Sequence, residues 1–258
     1  MHLSRALTLQ RDQVWILIAK DFKLKYGATL LGCFWTLLVP MFTSLVYYFV
    51  FGVMMRWSAE NYLLYLVSGT FLWQFFANVI LTNGTVLTAN EGLLKKTSFD
   101  RSLLVRGTFY IELIHLVLTL PVLCVMMYCY GVKPDWPTVV PNLIVCLTSV
   151  FLMSVGISYA YAACNLYFRD LERIVNIVMM MWMFGSPVFI PVSNVPACYQ
   201  WLYTYNPAAM MLNIWRDVFY APGWHPTLYV QTLGIGVGVF VLGRLMFRRM
   251  ERGFAEMM

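Results

Sequence analysis

The residues best placed to do chemistry are Glu112 and His115, an E-x-x-H inside a stretch from Gly107 to Val132 that carries no other ionisable side chain of strong charge. Three positions apart on a helix, a carboxylate and an imidazole share one face. Two such motifs with two further glutamates would build a di-metal carboxylate site. This chain has one motif and no other acidic residue deep in an apolar run, so no metal site is expected. An ionisable residue at such a place faces the interior of a helix bundle or a polar cavity. Glu112 therefore has two readings, a structural partner for neighbouring helices or a lining group of a pathway.

Other chemistries find no support. The histidines are His2, His115 and His225, spread too widely to pair with a serine and an aspartate. No G-x-x-x-x-G-K-[ST] occurs, so the chain has no loop of that kind to cradle nucleotide phosphates. Gly234, Gly236 and Gly238 form a glycine-rich patch within an apolar run. There the G-x-x-x-G of Gly234 and Gly238 suits close helix packing better than phosphate binding. Cys33, Cys124, Cys129, Cys146 and Cys164 lie in apolar runs and Cys198 in a predicted exterior loop, which is neither a disulfide framework nor a metal spacing. Aromatic residues make up 17% of the chain. Most serve as core, lipid-facing or belt residues, but their electron-rich faces also suit the axial C–H groups of a pyranose. Composition does not choose between these uses.

The elements that hold these residues are membrane helices. The chain is 60% hydrophobic and only 12% charged, against about 45–50% apolar for a soluble domain. Its apolar runs reach the roughly 20 residues needed to cross a bilayer. The longest, Ile174 to Trp215, is broken by Pro187, Pro191, Pro196 and Pro207 and reads as one helix followed by non-spanning structure. The pattern predicts six transmembrane helices over about 29–53, 61–88, 105–131, 138–165, 173–190 and 226–246. Of the 18 lysines and arginines, 15 fall on one set of alternating connections and only Arg56, Lys133 and Arg216 on the other. Basic residues concentrate in cytoplasmic loops, so both termini are expected in the cytoplasm. The excess cations cluster at the ends of the runs, which points to a membrane rather than to nucleic acid as the reason for the net charge of +6. The first apolar run is too long and begins too late for a cleavable signal peptide.

Three non-spanning segments stand out. In residues 10–26, Trp15, Ile18, Ala19, Phe22 and Tyr26 share a helical face with Gln13 and Lys20 opposite. That is an amphipathic helix, lying in the cytoplasmic interface or packed on the protein's own body. The segment NEGLLKKTSFDRSLLVRG, from Asn90, is apolar and basic, as a partner-binding or headgroup-binding loop would be. The exterior segment from Ser186 to Pro226 is rich in proline and aromatics and too apolar for a solvated loop. Non-helical backbone at membrane depth needs protein or a water-filled cavity around it, so short re-entrant helices dipping into the outer leaflet are expected between spans five and six.

Four stretches carry a family resemblance over nearly the whole length. They are KDFKLKYGATLLGCFWTLLVP from Lys20 (with Leu31, Gly32, Trp35 and Pro40), the loop from Asn90 through Arg101, NLYFRDLERIV from Asn165, and YNPAAMMLNIWRDVFY from Tyr205. In order and spacing the chain resembles the permease subunit of ABC type-2 polysaccharide exporters, the Wzm-like O-antigen permeases, with capsule and teichoic-acid permeases as relatives. One departure is local. The family often has proline directly after the position of Phe99, and this chain has Asp100.

The resemblance implies an all-α integral membrane protein laid out as follows. Residues 1–27 form the cytoplasmic amino terminus with its interface helix, 28–250 the transmembrane domain, and 251–258 a cytoplasmic tail. A coupling segment lies at about 89–102 and an exterior gate at about 191–225. It implies a homodimer working with two cytosolic ABC ATPase subunits, which bind the ATP and magnesium. The chain itself is then no enzyme and holds no cofactor. The implied cargo is a polysaccharide on undecaprenyl diphosphate, most simply O-antigen, moved across the inner membrane. Asn90, Glu91, Leu94, Lys95, Lys96, Phe99, Arg169 and Asp170 would meet the ATPase. Lys20, Lys23 and Lys25 either attract the lipid diphosphate, since each nearby cation gains about 1 kcal/mol from anionic headgroups, or serve topology alone. Trp35, Glu112, Trp201, Tyr203, Tyr205 and Arg216 are the candidates for the pathway or gate. The rival readings are a capsule or teichoic-acid exporter permease, an intramembrane enzyme using Glu112 and His115, and a scaffold with no pathway.

Overall fold

The computed structural model describes residues 34–56, 61–90, 92, 100–219 and 223–256. The expected amino-terminal interface helix with Lys20, Lys23 and Lys25 falls outside these residues, as do Glu91, Leu94, Lys95, Lys96 and Phe99. The described residues are helical and contain no strand. In chain order the helices are α1 (Phe34–Tyr47), α2 (Tyr62–Asn83), α3 (Ser102–Cys129), α4 (Trp136–Tyr167), α5 (Leu171–Phe184), α6 (Gln200–Thr204), α7 (Pro207–Phe219) and α8 (Pro226–Met250). A π-helical turn, Tyr48–Met54, extends α1.

Five of these elements are long and apolar enough to cross a membrane: α1 with its extension, α2, α3, α4 and α8. Pro40, Pro121 and Pro141 sit inside three of them, as neighbouring helices allow in a bundle. The expected span over 173–190 takes a different form. Its helix, α5, has 14 residues, about 21 Å at the α-helical rise and so less than the roughly 30 Å hydrocarbon core. Gly185 ends it, Ser186 donates its hydroxyl back to the Trp182 carbonyl at 2.7 Å, and Pro187 cannot continue it. The chain then turns tightly through Ile190.

Helix α2 is the centre of the bundle and packs against α1, α3, α4, α5 and α7. Its aromatics supply the core. Trp73 and Phe76 meet Trp182 of α5 edge-on, and Phe75 packs on Phe109 of α3 with ring centres 5.3 Å apart. The most extensive helix pair is α4 with α8. A Cβ on Gly243 would lie 1.9 Å from the Gly156 carbonyl oxygen, and one on Gly156 2.7 Å from the Phe240 backbone. This corrects the G-x-x-x-G expectation. A Cβ added at Gly234 or Gly238 would meet no described atom of another element within 4 Å, whereas Gly236 and Gly243, seven residues apart, carry the approach to α4. The G-x-x-x-G pair sits on the wrong face of α8, and a spacing of seven returns to the packed one.

The helix ends sort into two groups. At one end the α3 start, the α4 terminus and the α8 terminus meet: Arg101 donates to the Glu251 carbonyl at 2.9 Å and Tyr167 to that of Met250 at 3.3 Å. Asn165 there donates to the Gly84 carbonyl at 2.8 Å, tying α4 to the end of α2. At the other end Asn142 of α4, Tyr229 of α8 and the Gly223 carbonyl form one hydrogen-bonded cluster.

Candidate functional site

Two polar centres and one helix-end cluster hold the candidate residues. The first centre lies among α1, α2 and α3. On α3, Glu112 and His115 are joined by a 3.0 Å contact between Oε2 and Nδ1. From α2, the Asn78 amide donates to the same carboxylate oxygen at 3.3 Å. Glu112 is 2% exposed and His115 9%. Gln74 stands one turn from Asn78 on α2, and Thr119 one turn from His115 on α3. These side chains and Trp35 of α1 line a cavity of about 310 Å³. Trp35 and Glu112, singled out separately in the sequence, thus share one cavity. Gln74 and Asn78 were missed there. Their signal is an amide pair at i and i+4 in an otherwise apolar helix, which places both on one face. Among the described residues no group of three His, Cys, Asp or Glu side chains is arranged to hold a metal ion.

The second centre ties the segment after α5 to the bundle. The Arg216 side chain of α7 is buried and donates to the carbonyls of Tyr65 and Val188 at 3.4 and 3.3 Å. Its guanidinium lies over the Tyr65 ring, 3.5 Å from the centroid. The Tyr65 hydroxyl donates to Pro187 at 2.8 Å, Tyr62 to Phe189 at 2.9 Å, and the Trp215 indole to Ser68 at 3.0 Å. Gly69 leaves the space for this arrangement, since a Cβ there would lie 2.7 Å from Arg216 Nη2.

The start of α7 is fixed just as closely. Asn206 accepts from the Ala208 N–H at 3.0 Å and from the Trp182 indole at 2.9 Å. Its amide donates to the Gly185 carbonyl at 2.9 Å. The Asn206-Pro207 pair is therefore a helix N-cap followed by proline at the first helical position, and the same cap clamps the end of α5.

Next to Arg216, Asp217 faces His225 at 3.8 Å across a pocket of about 490 Å³ that Asn213 and Thr227 also line. Burial pushes the Asp217 carboxyl up to about 6, with His225 pulling it back less strongly. Trp201 and Tyr205 are exposed, whereas Tyr203 is buried, which raises its phenol and keeps it neutral. None of these three lines the Glu112 cavity, and Arg216 belongs to the second centre.

The helix-end cluster contains the described part of the expected coupling surface. Asn90 donates to the Val86 carbonyl at 2.9 Å, and Arg169 and Asp170 are exposed in the turn between α4 and α5. Asp100, the departure from the resembled family, caps α3. Its Oδ1 accepts from the Ser102 N–H at 3.0 Å and the Ser102 hydroxyl at 2.6 Å, and Oδ2 faces Arg106 at 3.4 Å. The acidic side chain supplies helix-starting hydrogen bonds that proline could not.

Comparison with known proteins agrees with this architecture. Residues 12–220 match the ABC-2 type transporter family. The chain is 31% identical over 253 residues to an O-antigen export system permease protein, RfbA, of Klebsiella pneumoniae, covering 96% of this chain and 95% of that one. A second Klebsiella pneumoniae RfbA is 32% identical over 250 residues, with the same coverage. RfbA of Myxococcus xanthus is 28% identical over 222 residues, 85% of each chain.

Proposed function

Because the chain belongs to the ABC-2 type transporter family, we propose that it is the membrane permease of an ATP-driven exporter that carries O-antigen polysaccharide, linked to undecaprenyl diphosphate, across the inner membrane. The observation that carries this reading is identity of 31–32% to O-antigen export permeases over 96% of the chain, with no large segment unmatched on either side. The distribution of lysine and arginine supports a cytoplasmic location for the cluster at the α3, α4 and α8 ends. The short α5 with the turns through Ile190 completes a sixth crossing, and α6 and α7 form the exterior gate segment.

ATP and magnesium bind to separate cytosolic ATPases, which meet the loop around Lys95 and Lys96 and the exposed Arg169–Asp170 turn. Closure of the ATPases moves the helices that this loop and turn join, a gating motion without covalent chemistry in the membrane. A second copy completes the pathway. Helices α1 and α5 support this, because Phe42, Phe49, Ile177 and Met181 leave apolar faces that lipid or another protomer must cover. An intramembrane enzyme built on Glu112 and His115 is disfavoured by the match of residues 12–220 to a transporter family.

Deletion of the gene tests the reading. Surface O-antigen should disappear while completed lipid-linked polymer accumulates on the cytoplasmic face. Normal surface polymer in the deletion strain would refute it.

A further inference from the structure

Two arginines from different helices border one buried tyrosine. The close approach of Gly156 and Gly243 sets the next residue of α8, Arg244, against Tyr159 of α4. The Arg244 guanidinium lies 5.1 Å from the centre of that ring and 5.8 Å from that of Phe247. Ser102 and Arg106 of α3 stand beside the same tyrosine. Arg106 spends Nε and Nη2 on Ser102 and Asp100, leaves Nη1 outside these bonds, and is 31% exposed along its side chain. Arg244 has no carboxylate partner among the described residues, and its buried Nη1 has no acceptor there. The aromatic faces hold that side of the guanidinium by cation–π attraction. The rest of this half-buried cation carries no counter-ion among the described residues. Its depth is informative. Arg244 is the first charged residue of α8, 18 positions after Pro226, about 27 Å along the axis and close to the roughly 30 Å of hydrocarbon. Around it Val241, Leu242, Leu245 and Met246 are exposed apolar side chains. Arg244 thus emerges at the edge of the hydrocarbon core, beside a surface suited to acyl chains.

We propose that Arg106 and Arg244 form a headgroup site for an anionic phospholipid, whose phosphate joins α3 to α8 beside Tyr159. A guanidinium fork suits phosphate oxygens, and basic pockets between membrane helices take anionic headgroups. Asp100 neutralises one of the two cations, so the pair keeps one net positive charge for the lipid. A zwitterionic headgroup fits less well, because its ammonium would meet the guanidinium groups. A protein partner is the poorer occupant. It would have to bring a carboxylate to a level below the helix end, where a lipid already carries its phosphate. The site requires only that the chain is embedded in a bilayer. It goes beyond the exporter reading and does not depend on the cargo.

Native mass spectrometry of the full-length permease in non-ionic detergent tests the site, with dioleoylphosphatidylglycerol as the probe. Its first binding event should be about tenfold tighter than that of dioleoylphosphatidylethanolamine. Arg106→Gln and Arg244→Gln, made separately, should each weaken phosphatidylglycerol about fivefold, the worth of one cation near an anionic headgroup, and leave phosphatidylethanolamine unchanged. Arg173→Gln removes an exposed cation of α5 and should alter neither. Should the glutamine variants fail to fold, Arg244→Lys, which keeps the charge but not the fork, should still lose about two- to threefold. Equal affinities for the two lipids, an unchanged preference in the Arg106 and Arg244 variants, or the same loss in Arg173→Gln would each overturn the proposal. Displacement of bound phosphatidylglycerol by a small fraction as much undecaprenyl diphosphate would also overturn it, because the occupant would then be the cargo's anchor. None of these failures bears on the exporter reading, which the deletion strain tests separately.

Discussion

The Arg216 guanidinium lies 3.5 Å from the centre of the Tyr65 ring and donates to the carbonyl of that same residue. It thereby joins α7 to the start of α2, and through Val188 it also holds the turn that follows α5. A fork-shaped, permanently charged group meets two carbonyls and an aromatic face at once, which a lysine ammonium cannot do.

Replacing this residue should loosen the segment that follows α5. Arg216→Ala removes two charge-assisted hydrogen bonds and a cation–π contact and should cost about 3 kcal/mol. Arg216→Lys should recover only a minor part. Gly69→Ala should produce a similar loss, because the added carbon takes the space of Nη2, and the double variant with Arg216→Ala should be less damaging than the sum. Thermal unfolding of the purified permease in detergent measures all of these, and additive losses would contradict the shared packing.

The two glycine faces of α8 make a paired prediction. Gly243→Ala drives a carbon into the Gly156 carbonyl and should destabilise by about 1–3 kcal/mol. Gly234→Ala meets no described atom within 4 Å and should change stability by less than about 0.5 kcal/mol. Comparison of unfolding midpoints checks the contrast, which reverses if the G-x-x-x-G pair forms the contact instead.

Asp217 predicts a pH dependence with a definite sign. Its carboxyl is raised to about 6, first by burial and then moderated by His225. Below the ordinary carboxylate value of about 4 the neutral form is held equally in folded and unfolded chains. Between about 4 and about 6 the folded protein binds the extra proton, so this residue's stabilising contribution falls as pH rises and is lost above the folded value. Asp217→Asn should flatten that fall and leave the variant the more stable protein near pH 7. Unfolding midpoints of the two proteins from pH 4 to pH 8 decide it, and an unchanged slope in the variant would contradict the assignment.

Asp100 tests how α3 begins at the end where it meets α4 and α8. Asp100→Ala removes the acceptor of the Ser102 N–H and hydroxyl and should cost about 1 kcal/mol, the usual value of an N-cap. Asp100→Asn keeps an acceptor and should cost a few tenths. Equal losses in the two, measured by unfolding in detergent, would mean that the Arg106 ion pair rather than the cap matters.

The sequence revealed the membrane helices through long apolar runs, because that signal is one-dimensional. It also marked Glu112, an ionisable residue within an apolar run, and Arg216, beside Asp217 in the segment before the last span. The partners were harder to see. Tyr65 and Gly69 lie about 150 residues from Arg216 in the chain and look ordinary where they stand. Gln74 and Asn78 show their one-face spacing, but facing Glu112 depends on the rotation of α2 against α3, which periodicity does not fix. The same limit explains the glycines. The spacing of Gly234 and Gly238 is correct for packing, and only the rotation of α8 decides that Gly236 and Gly243 do the packing.

Export is tested most directly in proteoliposomes that hold the permease with its ATPase and an undecaprenyl-diphosphate-linked O-antigen in the outer leaflet, the ATPases facing out. The account predicts that added ATP moves glycan to the lumen, where a periplasmic-type glycosidase supplied outside no longer reaches it, and that omission of either protein abolishes the movement. Glycan that reaches the lumen at the same rate without the ATPase, or that stays accessible with both proteins and ATP present, would contradict it.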